Sequence, residues 1–322
     1  HDALPISTAA QWPPPHHAIA ARLPYAARPL PDGRRRMNRT DAPLAGALLL
    51  LASEATFAAM NALIKLASVN VPTATILAIR HWLALALLLP IAWQRGWIGR
   101  QTPAKLRFHA ARSLTGLAAM WTSFWAVGHL PLADAAVLKM TSPLFVPLIA
   151  ALWLGERLGP RIAWAALIGF AGVLAILKPG SGLFVPAALV GLASGALAAL
   201  ARVTIRRMSI GIGAGEIVFW FTLVGTLLTT PAALAAGVVP GMRDSGIIAA
   251  LALLGTLGQL LMTRAYASAP AGIVGPLGYT GVLFATGFGW AVWQERPDLA
   301  TVTGALAIVA AGLLVMLPAR RG

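Results

Sequence analysis

The chain has 322 residues, of which 58% are hydrophobic and 11% charged, with a formal net charge of +15 and no cysteine. Soluble domains carry about 25% charged residues, so a single buried core cannot absorb this much apolar sequence. The missing cysteines exclude a disulfide framework, a thiolate nucleophile and a cysteine metal site, and the basic excess sits in short breaks between apolar blocks, as in cytoplasmic loops of membrane proteins, not in a nucleic-acid-binding face.

Residues 1–36 are rich in Pro, Ala, Arg and His. They contain no apolar run of the about 7 to 15 residues that a signal peptide needs. Met37 follows Arg34-Arg35-Arg36 and precedes the first apolar block, so it reads as the natural start, with 1–36 a disordered or non-native extension.

Beyond Met37 the apolar residues come in blocks of about 20, the length of a helix that crosses about 30 Å of hydrocarbon. Lipid offers the backbone no hydrogen-bond partners, which leaves helices or closed barrels. Barrel strands would alternate over about 10 residues, whereas these blocks are continuous. Ten spans are predicted, at 43–66, 73–94, 108–129, 132–154, 160–178, 183–206, 214–236, 245–267, 270–293 and 299–318. Turn formers join them, among them Gly159-Pro160, Pro179-Gly180-Ser181-Gly182, Pro240-Gly241 and Pro297-Asp298. With a cytoplasmic N-terminus, Arg34 to Arg36, Arg39, Arg95, Arg100, Lys105, Arg107, Arg157, Arg161, Arg202, Arg206, Arg207, Arg320 and Arg321 share that side. Little more than Lys65, Lys178, Arg243 and Arg296 remains opposite. The expectation is a multi-pass protein of a bacterial inner membrane with both termini cytoplasmic.

The two halves repeat. Leu130–Arg157 aligns without a gap on Ala269–Arg296 at an offset of 139 residues. Pro131 meets Pro270, Leu138 meets Leu277, Thr141 meets Thr280, and Glu156-Arg157 meets Glu295-Arg296; Gly116 meets Gly255 at the same offset. Five spans per copy is an odd number, so the second copy, 183–321, must enter the membrane inverted relative to the first, 37–178. Inverted repeats are a recurring plan of secondary transporters, with substrate near the midplane and access alternating as one repeat rocks against the other.

The stretch HLPLADAAVLKMTSPLFVPLIAALWLGERLGPR, the following GFAGVLAILKPG and the second-half QERPDLATVTGALAIVAAGLLV resemble the EamA-type members of the drug/metabolite transporter superfamily. The resemblance covers Met37 to Arg321 and implies a ten-helix inverted-repeat carrier with a cavity lined mainly by helices 1, 3, 4, 6, 8 and 9. FAAMNALIKLAS and ILAIRHWLALALLLP look most like the branch that includes S-adenosylmethionine uptake carriers.

Ionisable residues within membrane helices mark functional sites by default. Glu54 lies roughly 16 Å into span 1, and Asn61, seven positions on, shares its face. Lys139 in span 4 shares a face with Ser142. Glu54 and Lys139 are expected to face one polar cavity and to bind substrate; the alternative is a structural ion pair. In span 8, Thr256, Gln259 and Thr263 fall on one face; their repeat equivalents in span 3 are Leu117, Met120 and Phe124, so one wall is expected to be polar and the other apolar. Trp121 is placed to stack on a planar or cationic ligand, with an interfacial role as the alternative. Gly275-Pro276-Leu277-Gly278-Tyr279-Thr280-Gly281 should break span 9, which makes Tyr279 and Thr280 cavity candidates, a packing kink being the alternative. Arg80 and Arg112 are nearer helix ends and are read as snorkelling to the headgroups. Gly191 and Gly195 form a GxxxG read as close helix packing, and Glu156 and Glu295 are read as helix-end structural residues.

The fold class is therefore all-α integral membrane. The function expected is secondary transport of a small polar or amphipathic metabolite, amino acid, nucleoside or S-adenosylmethionine-like, by alternating access. The alternative, a membrane-embedded transferase acting on lipid-linked substrates, needs clustered acidic metal ligands or a nucleophile and base, and the ten acidic residues are not clustered. The chain carries no Walker A phosphate loop. The partners expected are a small-molecule substrate and the lipid bilayer, with a coupling proton, a counter-solute and a homodimer left open; no cofactor, metal or nucleic acid is expected.

Overall fold

The computed structural model describes residues 42–99, 101–129, 137–179, 186–294 and 298–316. The extension 1–36, the end of the loop before span 4 and Glu295 lie outside the described residues. The described residues form ten helical spans: α1 Pro43–Ala67, α2 Thr73–Gln94, α3 Pro103–His129, α4 Ser142–Ile149, α5 Pro160–Leu177, α6 Ala187–Met208, α7 Ala214–Ala236, α8 Met242–Ser268, α9 and α10 Leu299–Met316. The α4 span continues as a π-helical turn, Ala150–Leu154. The α9 span is broken into Ala271–Val274, a 3-10 turn Gly275–Tyr279 and Thr280–Trp293.

Proline opens α1, α3 and α5, where its missing N–H has no helical partner to lose. Eight spans are long and apolar enough to cross a membrane. The exceptions are α3, diluted by Lys105, Arg107, His109 and Arg112, and α10, whose apolar stretch Leu299–Val315 is shorter. Leu48, Leu87, Leu167, Leu227 and Leu306 are all exposed. An apolar perimeter of this kind is costly in water and suited to lipid.

The repeat seen in the sequence is a repeat of structure. Thr141 Oγ1 donates to the Leu138 carbonyl at 2.5 Å, and Thr280 Oγ1 to the Leu277 carbonyl at 2.7 Å, the same bond one repeat apart. The fourth and ninth spans both lose regular helix at these threonines. Both also end on a left-handed residue, Gly155 (φ 65°) and Gln294 (φ 58°), again 139 positions apart. Packing follows the same symmetry. The first helix of each half lies against the third and fourth spans of the other: α1 against α8 and α9, α6 against α3 and α4. The second helices pair with each other, as do the fifth, α2 with α7 and α5 with α10. Gly191 and Gly195 of α6 seat against Leu138 and the backbone of Leu138 and Ser142, so the GxxxG packs α6 onto the break in α4.

Candidate functional site

The crossing of α1, α4, α6, α8 and α9 brings together buried polar side chains that include Ser53, Glu54, Ser142 and Thr263. Ser53 Oγ donates to the Gly258 carbonyl at 2.8 Å and seats α1 on α8. One residue on, about 100° round the helix, Glu54 turns to α9. Its carboxylate lies over the 3-10 turn and the start of the following helix. A Cβ on Gly281 would stand 2.6 Å from Oε2, and one on Gly278 would stand 3.8 Å from Oε1. Glu54 is buried, and its Oε1 has no hydrogen-bond partner among the described residues. A buried carboxylate oxygen without a donor is costly, so this atom is a natural acceptor for a group not yet in place.

Gly278 also faces Pro143: a Cβ added there would stand 3.4 Å from the proline Cγ. The neighbouring Ser142 accepts a hydrogen bond from Arg202 Nη1 at 2.7 Å. Arg202, on α6, and Lys139, in the helical stretch just before α4, are the cations whose charge acts on Glu54, Arg202 the more strongly. Neither forms a direct ion pair with it. Lys139 is exposed, whereas Ser142 and Glu54 are buried. The cluster thus runs from an accessible ammonium to an enclosed carboxylate.

A second cation joins from α3. Arg112 Nη2 donates to Gln259 Oε1 at 3.2 Å, and its guanidinium carbon lies 4.3 Å from the centre of the Phe221 ring. Arg112 is in electrostatic reach of Arg202. Thr263 and Tyr266, one and two turns beyond Gln259 on α8, are fully buried, and the Thr263 hydroxyl has no partner among the described residues.

Of the residues singled out from the sequence, Glu54, Lys139, Ser142, Gln259 and Thr263 belong to this cluster. Asn61 is exposed on α1. Trp121 is half exposed and lines a small apolar recess with Leu77 and Thr229, between α2, α3 and α7. Tyr279 turns away from Glu54. Its ring packs on Gly169 of α5 among Val173 and Ile308, and its hydroxyl is buried without a partner among the described residues. Thr280 spends its hydroxyl on the Leu277 carbonyl. The break in α9 therefore contributes backbone to the site, through Gly278 and Gly281, and its tyrosine to the core.

Three arginines correct the sequence reading. Arg80 and Arg112 do not snorkel: they are 8% and 4% exposed. Arg112 folds back over Gly116 toward Phe221, and Arg80 lies against Gly255, so each uses a glycine as a shelf inside the bundle. Arg202, grouped by sequence with the flanking charges Arg206 and Arg207, sits six residues inside the end of α6 and serves the interior. Arg112 also crosses from α3 to Gln259, so α3 and α8 are not separate apolar and polar walls. The Phe124 side chain lies outside the described residues.

Glu156 is structural in a specific way. Its two oxygens accept from the Ala271 and Gly272 amides at 3.3 and 3.1 Å, capping the first turn of α9, and Oε1 lies 3.5 Å from Arg206 Nε.

The model of the EamA-like transporter family matches residues 44–178 and 185–317. The pseudopaline exporter of Pseudomonas aeruginosa (strain UCBPP-PA14) is 38% identical over 269 residues, covering 83% of this chain and 94% of that protein. A riboflavin transporter of Rhizobium johnstonii is 32% identical and covers 74% of this chain and 85% of its own length. The S-adenosylmethionine uptake transporter of Rickettsia bellii is more distant than either, at 22% identity over 65% of this chain and 72% of its own. A solved crystal structure superposes with a TM-score of 0.71 at 23% identity, covering 85% of this chain and 98% of that one, which establishes likeness of fold.

Proposed function

We propose, for a chain that belongs to the EamA-like transporter family and is a multi-pass membrane protein, that it is a secondary carrier of a small polar or amphipathic metabolite. Amino-acid-like and nucleoside-like solutes and flavins are within that description, since relatives export pseudopaline or transport riboflavin. The observation that carries the reading is the charge cluster of Glu54, Lys139, Arg202 and Ser142, drawn from helices of both halves. Rocking one five-helix half against the other would change the spacing of exactly these groups, which is what alternating access requires. Residues 37–178 and 183–321 are taken as the two moving units, in a bacterial inner membrane with both termini cytoplasmic. Glu54, Lys139, Ser142, Gln259 and Thr263 are proposed to touch the solute.

Uptake of labelled metabolites into proteoliposomes tests this. Saturable flux that is accelerated by unlabelled solute on the far side is the expected result. No flux for any metabolite, beside a measurable chemical turnover, would overturn it.

A further inference from the structure

We infer that the site is selective for anionic solutes, those bearing more carboxylates than amines; this rests on the carrier reading. Two cations, Lys139 just before α4 and Arg202 of α6, act on one carboxylate, Glu54 of α1, and a third, Arg112 of α3, stands in electrostatic reach of Arg202. No other acidic residue lies away from the ends of the spans among the described residues. Glu54 offsets one positive charge and leaves two.

The donors of these cations are not used up. Each guanidinium offers five N–H groups in a planar fork that matches a carboxylate. Arg202 directs Nη1 to Ser142 and Arg112 directs Nη2 to Gln259, both neutral acceptors. Arg112 Nε is buried with no partner among the described residues. Lys139 is exposed and pairs with no carboxylate there. Neutral acceptors satisfy hydrogen-bond geometry and leave the charge uncompensated, and in a low-dielectric site uncompensated charge is expensive. A solute carboxylate supplies what is missing. The unpartnered Glu54 Oε1 supplies the complement, an acceptor for an amine or hydroxyl on the same solute. The site thus fits a molecule with a donor at one end and carboxylates at the other. A net cation such as S-adenosylmethionine would add positive charge to a site already in excess.

The test uses the purified full chain and solutes of similar size and different charge: glutamate, citrate, glutamine and lysine. Thermal stabilisation in detergent gives binding, and exchange in proteoliposomes gives flux. The carboxylates are expected to bind about tenfold or more tightly than glutamine or lysine, the scale of one charge-assisted hydrogen bond. Lys139→Gln should lower the carboxylate preference, and Lys139→Arg should restore it. Recovery in Lys139→Arg, together with an unchanged melting temperature of the unliganded Lys139→Gln protein, separates loss of charge from loss of folding. Equal or stronger binding of lysine or glutamine, no response to either carboxylate at millimolar concentration, or an unchanged preference in Lys139→Gln would overturn the inference. Flux of lysine alone would do so while leaving the carrier reading intact. Carboxylate-selective binding with no flux of any solute would overturn the carrier reading and support the charge preference.

Discussion

Gly281 lies so close to Glu54 that a Cβ at this position would stand 2.6 Å from Oε2. The carboxylate and the helix that follows the break in α9 are therefore in contact across the interface between the halves. Any side chain at 281 must push one away from the other. Gly281→Ala is expected to cost about 1–3 kcal/mol as an overpacked site and to lower transport by about tenfold at unchanged membrane insertion. Thermal unfolding and solute exchange of the purified variant check both. Normal exchange in Gly281→Ala would mean that the position of Glu54 is not used.

Arg202 and Ser142 join α6 to the break in α4 through a bond of 2.7 Å. Ser142→Ala removes the acceptor and leaves a partly buried guanidinium donor without it, at about 1 kcal/mol. Arg202→Lys keeps the charge and loses the fork. Both variants should weaken solute binding, Arg202→Lys by more than Ser142→Ala, measured as the half-saturating concentration for exchange.

Glu156 caps α9 from the end of the α4 span. A carboxylate on the first turn of a helix is stabilised by the exposed amides and the helix dipole. Glu156→Ala should lower the melting temperature by a few degrees, about 1–2 kcal/mol for a chain of this size. If the cap is only structural, the substrate affinity of the folded fraction will be unaltered.

Asp298 at the start of α10 hydrogen-bonds Lys178, and it also accepts from the amide and hydroxyl of Thr301. The Lys178 bond, first, and the Thr301 bonds hold its carboxyl well below the usual carboxylate range. A carboxyl lowered on folding contributes stability that is full above about pH 4 and is lost as pH falls toward its folded-state value. Asp298→Asn should therefore melt below the wild type at neutral pH, with the gap narrowing below about pH 4. A constant gap would assign the effect to something other than ionisation.

Most of the architecture was legible because lipid leaves the sequence few options. The span predicted at 214–236 is α7, Ala214–Ala236, and that at 73–94 is α2, Thr73–Gln94. The Thr141 and Thr280 pair was readable as identity at a fixed offset, and it proves to be one bond made twice. The site was only partly legible. Arg202 stands four residues before Arg206 and so shares its helix face, and in one dimension the two read as a single basic helix end. Its depth of six residues inside α6 was the available signal. Arg112 and Arg80 were misread for a related reason. Whether a long side chain runs out to the headgroups or folds inward depends on a partner from another helix, here Gln259 for Arg112. The outward turn of Tyr279 likewise follows from Gly169 on α5, a contact that no local pattern announces.

Solute exchange in proteoliposomes, comparing wild type with Glu54→Gln, tests the central claim most directly. Replacing the one carboxylate of the cluster among the described residues by its neutral isostere keeps the shape and removes the charge set against Arg202 and Lys139. The expected result is exchange reduced by about tenfold or more in protein that inserts and melts as the wild type does. Unimpaired exchange in Glu54→Gln would contradict the account.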